Sequence, residues 1–531
     1  MNKKYRNSAI ISSEYVASSR GLNINFIEYL EETVNRASNK VAVIDSDGNK
    51  FTFSELSQKA LIIATIIGKL SDSTRNPVAV FLPKSFDGIV SDLGIIYSGN
   101  AYMNLDIKTP QNRIKNILDL VKPIALITIS KYLHITTDIC PDTVNIINLD
   151  YVDFNSKVDR KAIDEKRNKL IDTDPLCIIN TSGSTGTPKG VVLNHKSFID
   201  FSEWAFSTFD FSYDEIIGSL SPMVFDIYSF ELCMMAFKGS TLVLISDAYS
   251  AFPIKILQVL AIYNVSFIFW VPTIMVNIAN MALLEQISLP SLRTVWFAGE
   301  VFPTKQFNLW RRNMPQSLFV NLYGPIEITL DCTYYIVNRK LDDNEPIPIG
   351  YPCRNTDILI LSAENTLVTE QGKEGELCVR GTSLAMGYYN NSEKTCEVFV
   401  QNPLNNSYPE IIYRTGDIVY KNNKGELVFK GRNDSLIKHL GYRIELGEIE
   451  HVVVNTLKLV RNGCVVYNFK NKEIVLFYEA NEDLSIAEMK KAIGEILPRY
   501  MVPSAYKKMI VLPRNLNGKI DRLALNNSIN E

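Results

Sequence analysis

The sequence contains few of the residues on which metal sites and disulfide frameworks depend. Its 531 residues include only four histidines and eight cysteines, and no two cysteines form a Cys-x-x-Cys pair. The histidines, His134, His195, His439 and His451, are far apart along the chain. This pattern argues against a zinc cluster and a disulfide framework, and it leaves little material for a histidine metal site or catalytic triad.

An excess of charge of one sign is also missing. The 55 Lys and Arg residues are nearly balanced by 58 Asp and Glu residues, which gives a formal net charge of −3. This balance offers no electrostatic reason to expect binding to nucleic acid or to an anionic membrane. We therefore expect the partners to be small molecules or ordinary protein surfaces.

One uncharged segment, residues 265–284, is long enough to resemble a membrane-spanning helix, which needs about 20 apolar residues. Pro272 and Thr273 divide it into an aromatic strand and the start of a helix. Asn277 and Asn280 would face lipid without hydrogen-bond partners. The segment is therefore predicted to lie in a buried α/β core.

The amino terminus has a basic start but lacks the uninterrupted apolar region of a secretory signal peptide. Glu14 falls where that region would be, and signal peptides carry no charge there. Together with the balanced charge, this predicts a cytoplasmic protein that does not associate with membranes.

The remaining composition is that of an ordinary globular protein. Hydrophobic residues make up 46% and charged residues 21%, and at about 150 residues per domain the chain forms three or four folding units. Strand-like segments such as 78–82 and 358–361 alternate with helix-like segments such as 254–262 and 485–497. This alternation predicts an α/β protein with some parallel sheet.

Two regions depart from this alternation. Residues 340–432 contain short strand-like runs punctuated by glycine and are predicted to be β-rich. Residues 433–531 show a helix beginning near Leu446, two strands near 464–467 and 474–480, and a further helix. We interpret this last region as a small α+β domain.

The most distinctive local feature is the loop TSGSTGTPKG at residues 181–190. Its interior glycines let the backbone approach an anion, its hydroxyl groups donate hydrogen bonds, and Lys189 supplies a positive charge. In the P-loop of nucleoside triphosphatases, the first glycine is followed by four residues and then by GK[ST]. Here Gly183 is followed by STGTPK, so the loop is not a P-loop of that kind. The loop could hold polyphosphate, and a flexible polar turn is the alternative.

Ten other motifs accompany this loop in a fixed order. They are FTFSEL (51–56), GNAYMNLD (99–106), FD (225–226), NLYGPIE (321–327), GELCVRG (375–381), YRTGD (413–417), GRND (431–434), GYRIELGEIE (441–450), LPRYMVP (497–503) and NGKIDRLAL (517–525). With them the chain resembles the adenylate-forming superfamily: the adenylation domains of nonribosomal peptide synthetases, acyl-CoA synthetases and luciferases. The resemblance covers essentially the whole chain.

The resemblance implies a division into two domains. Residues 1–432 would form the ATP- and substrate-binding core, with two α/β subdomains and a β-barrel-like subdomain. Residues 433–531 would form a small mobile α+β domain that carries the catalytic Lys519. Asp434 matches the family's hinge, and after rotation Lys438 and the Gly441 loop would line the tunnel for a phosphopantetheine arm.

The resemblance also implies how a nucleotide is bound. Charge neutralisation and alignment would carry the reaction, because a carboxylate must attack a phosphate while pyrophosphate leaves. The phosphates would contact Thr181, Ser182, Gly183, Ser184, Thr185, Gly186 and Lys189. Glu327, with a hydroxyl such as that of Thr185, would help to hold Mg²⁺, a hard cation suited to bridging phosphate oxygens. Lys519 would bridge the substrate carboxylate and the phosphate oxygens.

The adenosine part would contact residues of three of these motifs and the backbone of the segment AGE (298–300). Tyr323, followed by Gly324, would stack on adenine beside the backbone at Gly299 and Glu300. Asp417 would accept hydrogen bonds from both ribose hydroxyls. Arg432 would reach the ribose from the domain boundary.

Asp226 lies where the amino-acid-activating members of the superfamily keep an aspartate for the substrate α-ammonium. A buried carboxylate is costly without a cationic partner, which favours an α-amino or imino acid. Alternatively, Asp226 caps a helix that begins near Tyr228.

Motif alignment gives the other predicted pocket residues as Ile227, Phe230, Phe269, Trp296, Ala298, Leu322, Leu330 and Asp331. Because three of these side chains are large aromatics, we expect a small substrate: serine, alanine, glycine or proline, with a short diamino acid as a weaker option. Asp331 could accept a hydrogen bond from a hydroxyl, meet a second amine or bond to the protein itself.

The chain departs from the commonest family pattern at three places. Asn180 replaces a frequent aromatic residue, Ile326 replaces a threonine, and His439-Leu440 replaces Ile-Arg. None of these changes removes a charged catalytic group.

We therefore expect an AMP-forming ligase that activates a small amino acid with ATP and Mg²⁺. It would then transfer the aminoacyl group to the phosphopantetheine thiol of a separate carrier protein, since the chain stops about a dozen residues after Lys519 and shows no carrier module. The alternatives are an acid–CoA ligase, a D-alanine–carrier protein ligase of cell-wall metabolism, and a catalytically silent nucleotide-binding protein.

Overall fold

The computed structural model describes residues 23–183, 188–432, 436–480, 485–514 and 520–530. Its α-helices in these ranges are α1 (Phe26–Ala37), α2 (Phe53–Leu70), α3 (Phe86–Tyr97), α4 (Gln111–Val121), α5 (Ser130–Ile139), α6 (Arg160–Arg167), α7 (His195–Thr208), α8 (Asp226–Cys233), α9 (Pro253–Ile262), α10 (Pro272–Asn280), α11 (Thr304–Asn313), α12 (Ser392–Val398), α13 (Leu446–His451), α14 (Ile486–Gly494) and α15 (Arg522–Asn530).

The strands of the same ranges form several separate sheets. In chain order they are β1 (Val41–Ile44), β2 (Lys50–Thr52), β3 (Pro77–Val80), β4 (Ala101–Asn104), β5 (Ala125–Thr128), β6 (Asn145–Asn148), β7 (Pro175–Thr181), β8 (Lys189–Asn194), β9 (Ile216–Ser219), β10 (Thr241–Leu244), β11 (Phe267–Trp270), β12 (Thr294–Phe297), β13 (Leu318–Tyr323), β14 (Thr333–Ile336), β15 (Tyr351–Pro352), β16 (Thr356–Leu361), β17 (Glu374–Gly381), β18 (Gly387–Tyr388), β19 (Phe399–Gln401), β20 (Ile411–Lys421), β21 (Leu427–Arg432), β22 (Leu436–His439), β23 (Tyr442–Glu445), β24 (Asn462–Asn468), β25 (Glu473–Glu479) and β26 (Ala505–Met509).

Two large sheets with parallel centres and one antiparallel sheet make up the chain before residue 433. The nine-stranded sheet has the order β15-β14-β13-β12-β11-β9-β10-β1-β2, and the seven-stranded sheet has the order β18-β8-β7-β4-β3-β5-β6. The third sheet joins β16, β17, β20, β19 and β21 in antiparallel pairs. The predicted α/β class, with two α/β subdomains and a third β subdomain, is confirmed.

The uncharged segment at residues 265–284 forms core structure, as predicted. Its first part is β11, a fully buried strand, and its second part is α10. Pro272 occupies the first turn of α10, where its missing N–H group costs no hydrogen bond. In the described parts of the chain, no helix has the length and apolar character needed to cross a membrane.

The residues after 435 have hydrophobic clusters of their own. The hairpin β22–β23 and α13 lead into a three-stranded sheet of β24, β25 and β26. One cluster contains Ile444, Ile449, Leu476 and Ile493, and no residue of it comes from the chain before 433. The predicted α+β character of this region is therefore observed, whereas the domain boundary at 432/433 stays a prediction.

Candidate active site

A cavity of about 160 Å³ lies where the carboxyl ends of the two large sheets meet. Asn104 ends β4 and Thr181 ends β7 in one sheet, while Val271 follows β11 and Gly324 follows β13 in the other. Open α/β sheets bind ligands at this edge, because loops and helix starts converge there. The position makes the cavity the candidate active site.

The predicted adenosine-binding residues come together beside this cavity. The Tyr323 hydroxyl donates a hydrogen bond to Asp417, and the Arg432 guanidinium forms an ion pair with the other oxygen of the same carboxylate. Asp417 is 3% exposed and Tyr323 is 7% exposed. Burial raises the pKa of Tyr323 well above its ordinary value, so the hydroxyl keeps its proton.

The Gly299–Glu300 turn lies on the same side of the cavity. Gly299 lines the cavity with φ +89°, a left-handed conformation that favours glycine. One Glu300 oxygen accepts a hydrogen bond from Thr273 N at 3.0 Å, and the other accepts from Gly441 N at 2.8 Å.

The described part of the phosphate loop lies between two paired strands. Thr181 at the end of β7 is paired with Lys189 at the start of β8, so the two ends of the loop lie side by side. Ser182 and Gly183 are buried. The predicted phosphate contacts Ser184, Thr185 and Gly186 lie outside the described residues, as does Thr187.

Glu327 is almost fully buried and makes two strong contacts. The Tyr388 hydroxyl donates to Oε1 at 2.7 Å, and the Arg443 guanidinium pairs with Oε2. Burial alone would raise the pKa of Glu327, but the Arg443 charge and the Tyr388 hydrogen bond outweigh it, and the pKa lies below its ordinary value. The carboxylate is therefore ionised.

An ionised carboxylate beside the phosphate loop fits a site for Mg²⁺. Magnesium in such sites is held by one or two carboxylates together with substrate phosphates. Among the described residues, no group of three or more His, Cys, Asp or Glu side chains is placed to hold a metal by itself. Glu327 could therefore hold the cation only together with the phosphates of a nucleotide.

Asp226 is the first residue of α8 and lines the cavity. It accepts a hydrogen bond from Ile227 N at 3.0 Å, and desolvation raises its pKa to about 6. The alternative role as helix cap is wrong, because the cap position is Phe225, and its side chain makes no capping hydrogen bond. Backbone N–H groups of Ile227 and Leu330 hold the carboxylate at the cavity that it lines.

Asp331 lies near enough to Asp226 for the two carboxylates to repel each other. Burial first, and then the charge of Asp226, raise the pKa of Asp331 well above its ordinary value. The ammonium of Lys438 acts against both shifts. This end of the site therefore favours a cation.

The predicted aromatic pocket residues pack against each other. Phe230 stacks on Trp296 with ring centroids 5.4 Å apart, and Phe269 meets the same indole edge to face at 5.5 Å. Of the nine predicted pocket residues, Asp226 and Ile227 line the cavity. The other seven are buried and do not line it: Phe230, Phe269, Trp296, Ala298, Leu322, Leu330 and Asp331.

The backbone behind the cavity is strained at two consecutive positions. Thr329 has φ +52° and Leu330 has φ +65°, a region that costs about 1–2 kcal/mol for a residue other than glycine. Gly324 packs directly against this turn.

The predicted hinge and tunnel residues are only partly within the described structure. Asp434 and Lys519 lie outside it. Lys438 on β22 and Gly441 in the turn before β23 both line the cavity. Burial lowers the pKa of Lys438 against the opposing effects of Asp417 and Asp331. The hairpin β22–β23 therefore faces the candidate site.

A family model described as AMP-binding enzyme matches residues 30–389, about two thirds of the chain. The chain belongs to the AMP-binding enzyme family. The predicted membership of the adenylate-forming superfamily and the predicted AMP-forming ligase class are thereby confirmed at the level of the family.

The relatives of this AMP-binding enzyme include one of similar length. Zwittermicin A synthase ZmaJ of Bacillus cereus is 29% identical over 504 residues, which cover 93% of each chain. Three longer curated relatives are 32% identical, but the chain spans only 19%, 9% and 8% of their lengths.

Two solved structures share the fold of the enzyme. The Vibrio cholerae adenylation domain AlmE, in complex with glycyl-adenosine-5'-phosphate, matches with TM-score 0.81 and 21% identity, covering 96% of this chain and 98% of that one. Holo-PA1221, a nonribosomal peptide synthetase protein containing adenylation and PCP domains, matches with TM-score 0.77 and 20% identity, covering 94% and 84%.

Sequence reasoning missed several residues of the enzyme that contact the candidate site. Arg443 and Glu448 belong to the GYRIELGEIE motif, but no role was predicted for them. Arg113 lies on α4, and its guanidinium pairs with Glu448, which is fully buried. Their motif marked this segment as important, but nothing in the sequence indicated which residues they would contact.

Gly324→Ala is expected to destabilise the enzyme. A Cβ atom at this position would lie 2.2 Å from Leu330 O and 2.5 Å from Asp331 Cα. Such overpacking costs about 1–3 kcal/mol. Thermal unfolding should show a lower melting temperature than wild type.

The matched control is Gly68→Ala in α2, where a Cβ would meet only Lys166 Nζ at 3.7 Å. Alanine inside a helix stabilises by about 0.5–1 kcal/mol relative to glycine, so this variant should melt no lower than wild type. Equal melting temperatures for both variants would contradict the role given to Gly324.

Proposed function

We propose that the enzyme activates a small amino acid with ATP, forming an aminoacyl adenylate and pyrophosphate, and then transfers it to the phosphopantetheine thiol of a separate carrier protein. Serine, alanine, glycine and proline are the favoured substrates. The observation that carries this proposal is the carboxylate of Asp226, which lines the same cavity as Gly324, the residue that follows Tyr323 of the cluster with Asp417 and Arg432.

The amino-acid class rests on the electrostatics of Asp226. The charge of Lys438 offsets only part of the desolvation that raises the pKa of this carboxylate, and a ligand ammonium would add further positive charge. The neighbouring Asp331 strengthens this preference for a cation. The glycyl adenylate bound to AlmE, which shares this fold, supports a small amino acid.

The nucleotide would be held along one side of the cavity. Asp417 would accept the ribose hydroxyls, the ring of Tyr323 would contact adenine, and Lys189 would neutralise the phosphates. Mg²⁺, when bound with the nucleotide at Glu327, would supply further neutralisation of the departing pyrophosphate. The predicted contacts at Ser184, Thr185 and Gly186 and the bridging role of Lys519 belong to the same proposal.

Transfer to a carrier would use the hairpin β22–β23. Lys438 and Gly441 line the cavity, so a phosphopantetheine arm would pass beside them to reach the adenylate. The pairing of adenylation and PCP domains in PA1221 supports a carrier as acceptor. Rotation of residues 433–531 about Asp434 is part of this proposal, and so is a cytoplasmic location.

The test is ATP–pyrophosphate exchange with Mg²⁺ over L- and D-amino acids, proline, β-alanine, and several aryl and fatty acids. We expect exchange with one small amino acid. Loading of a holo carrier protein and of coenzyme A would then be compared, and the carrier should be the better acceptor. Exchange with only aryl or fatty acids would overturn the amino-acid assignment, and loading of coenzyme A alone would overturn the carrier assignment.

A further inference from the structure

A buried polar cluster joins α3, β4 and α8 next to the cavity. Asp92 on α3 is fully buried, and its Oδ2 atom accepts two hydrogen bonds. One comes from the hydroxyl of Tyr228 on α8 at 2.7 Å, and the other comes from Nδ2 of Asn104 on β4 at 3.0 Å. A single carboxylate oxygen therefore connects three elements of the fold.

Asn104 makes a second hydrogen bond with the same nitrogen. Its Nδ2 atom also donates to Met223 O at 3.2 Å. Because a carboxylate and a carbonyl can only accept, both must meet the nitrogen and not the oxygen, and the orientation of the carboxamide is fixed. Asn104 lines the cavity, so the cluster reaches the candidate active site at this residue.

The cluster holds the chain on both sides of Asp226. Met223 lies three residues before Asp226, in the segment between β9 and α8, and Tyr228 lies two residues after it, in the first turn of α8. The next residue, Ser229, accepts a hydrogen bond from the hydroxyl of Tyr102 on β4 at 2.7 Å. The start of α8 is therefore held from both α3 and β4.

Stability alone gives little reason for a carboxylate at this place. Desolvation raises the pKa of Asp92 to about 7, although the hydrogen bonds from Asn104 and Tyr228 act in the opposite direction. The Oδ1 atom of Asp92 has no hydrogen-bond partner in the described part of the chain. Ionising such a group is costly, and well-packed apolar side chains often serve a core equally well. The geometry that the cluster imposes is the better explanation.

We infer that Asp92 is a positioning residue for the ammonium site of the amino-acid substrate. Through Asn104 and Tyr228 it fixes the start of α8, and thereby the direction in which the Asp226 carboxylate faces the cavity. Asp92 itself does not line the cavity. This inference rests on the proposed function in one respect, namely that Asp226 binds the ammonium.

Amino-acid-dependent ATP–pyrophosphate exchange measures this role. Asp92→Ala removes the acceptor that Asn104 and Tyr228 share, so KM for the amino acid should rise about ten-fold or more. KM for ATP should stay near the wild-type value. An enzyme that merely folded less completely would lose kcat and keep its KM for the amino acid. The two constants therefore separate positioning from stability.

Asp92→Asn is the conservative variant. Asparagine can place its oxygen at the position of Oδ2 and its NH2 group at the position of the unpaired Oδ1, so both accepted hydrogen bonds persist. KM for the amino acid should then lie within about three-fold of the wild-type value.

Glu215→Ala is the matched control, because it also removes a buried carboxylate with hydrogen-bond partners. Glu215 is 3% exposed and accepts from Ser212 N at 3.1 Å and from the hydroxyl of Ser266. It precedes β9, at the end of that strand opposite the cavity, and does not line the cavity. This variant should lose stability and keep both KM values.

Hydrogen–deuterium exchange gives a readout that does not depend on activity. The reporter is the amide of Ile227, which donates to Asp226 Oδ1 at 3.0 Å. Asp92→Ala should accelerate its exchange, because loss of the Tyr228 contact loosens the first turn of α8. Asp92→Asn should not. The amide of Leu476 in the sheet of β24, β25 and β26 is the internal control and should not change.

The outcomes separate this inference from the proposed function. Unchanged exchange at Ile227 in Asp92→Ala would overturn it, and so would a loss of kcat with both KM values unchanged. Equal increases in KM for the alanine and asparagine variants would also count against it. If the wild-type enzyme exchanges pyrophosphate with no amino acid, the proposed function fails, and hydrogen exchange at Ile227 still decides whether Asp92 orders the start of α8.

Discussion

Asp226→Ala is expected to lower amino-acid-dependent ATP–pyrophosphate exchange at least about 100-fold, because removing a charged partner from a desolvated site costs about 3 kcal/mol or more. Asp226 lines the cavity, and the cap position of α8 is Phe225, so Asp226 is not the cap of this helix. Exchange would be measured at saturating ATP over a range of amino-acid concentrations. The loss should appear in kcat/KM for the amino acid, while ATP affinity stays close to wild type.

The control for this prediction is Asp210→Ala, which removes an exposed carboxylate near the same helix in sequence. It should exchange at the wild-type rate. Retention of more than about a tenth of the exchange by Asp226→Ala would contradict the ammonium-binding role.

The pH dependence follows from the raised pKa of Asp226, about 6. Amino-acid binding needs the ionised form, so affinity should fall as pH drops through about 6. The stability of the fold changes with pH in the opposite direction. Because the folded-state pKa lies above the ordinary value of 3.8, the free energy of unfolding falls as pH rises from about 4 to about 6.

Asp226→Asn removes the cost of ionising a buried carboxyl group while keeping the size of the side chain. The variant should be inactive yet more stable than wild type at pH 7, by at most about 3 kcal/mol. The two proteins should be nearly equal below about pH 4. Denaturation curves at pH 4 and pH 7 check this, and a variant less stable than wild type at pH 7 would refute the assigned pKa.

The second large effect is expected for Gly441→Leu. Gly441 has φ +81°, and a Cβ there would lie 3.2 and 3.3 Å from two methyl carbons of Val271. Both residues line the cavity, so leucine would fill the path proposed for the phosphopantetheine arm. Transfer to a holo carrier should fall about 100-fold, as for a misplacement of about 1 Å at a reacting group. Adenylation should stay within a few-fold of wild type.

Gly425→Leu is a matched control, because Gly425 has φ +76° and a Cβ there meets nothing within 4 Å. It carries the same backbone strain without blocking the cavity, and both half-reactions should survive. Lys519→Ala should give the reverse split, losing adenylation and keeping transfer from preformed adenylate. Equal losses in both half-reactions for Gly441→Leu would argue against a role confined to transfer.

Much of the fold could be predicted because its signals are local. The alternation of strand and helix patterns indicated the α/β class, and Pro272 marked the division of the segment 265–284. Element ends were less certain: the helix expected over 485–497 ends at Gly494. Each of these patterns involves only a few neighbouring residues, so it can be recognised in a single sequence.

The adenosine cluster could also be predicted, because Tyr323, Asp417 and Arg432 each belong to an ordered motif. The contacts of Arg443 could not. It is 116 residues from its partner Glu327, and Arg113 is 335 residues from Glu448. Such ion pairs depend on how the region after 435 lies against the core, and no local pattern encodes that arrangement.

The left-handed turn at Thr329 and Leu330 limits how the specificity of this enzyme could be changed by directed evolution. Thr329 is already β-branched, and a β-branched residue in place of Leu330 would add to the strain. Gly324 already packs against the turn from behind. Fewer residue types are therefore tolerated at positions 329 and 330 than the side chains of Thr329 and Leu330 suggest. Libraries centred on this turn should yield few folded variants.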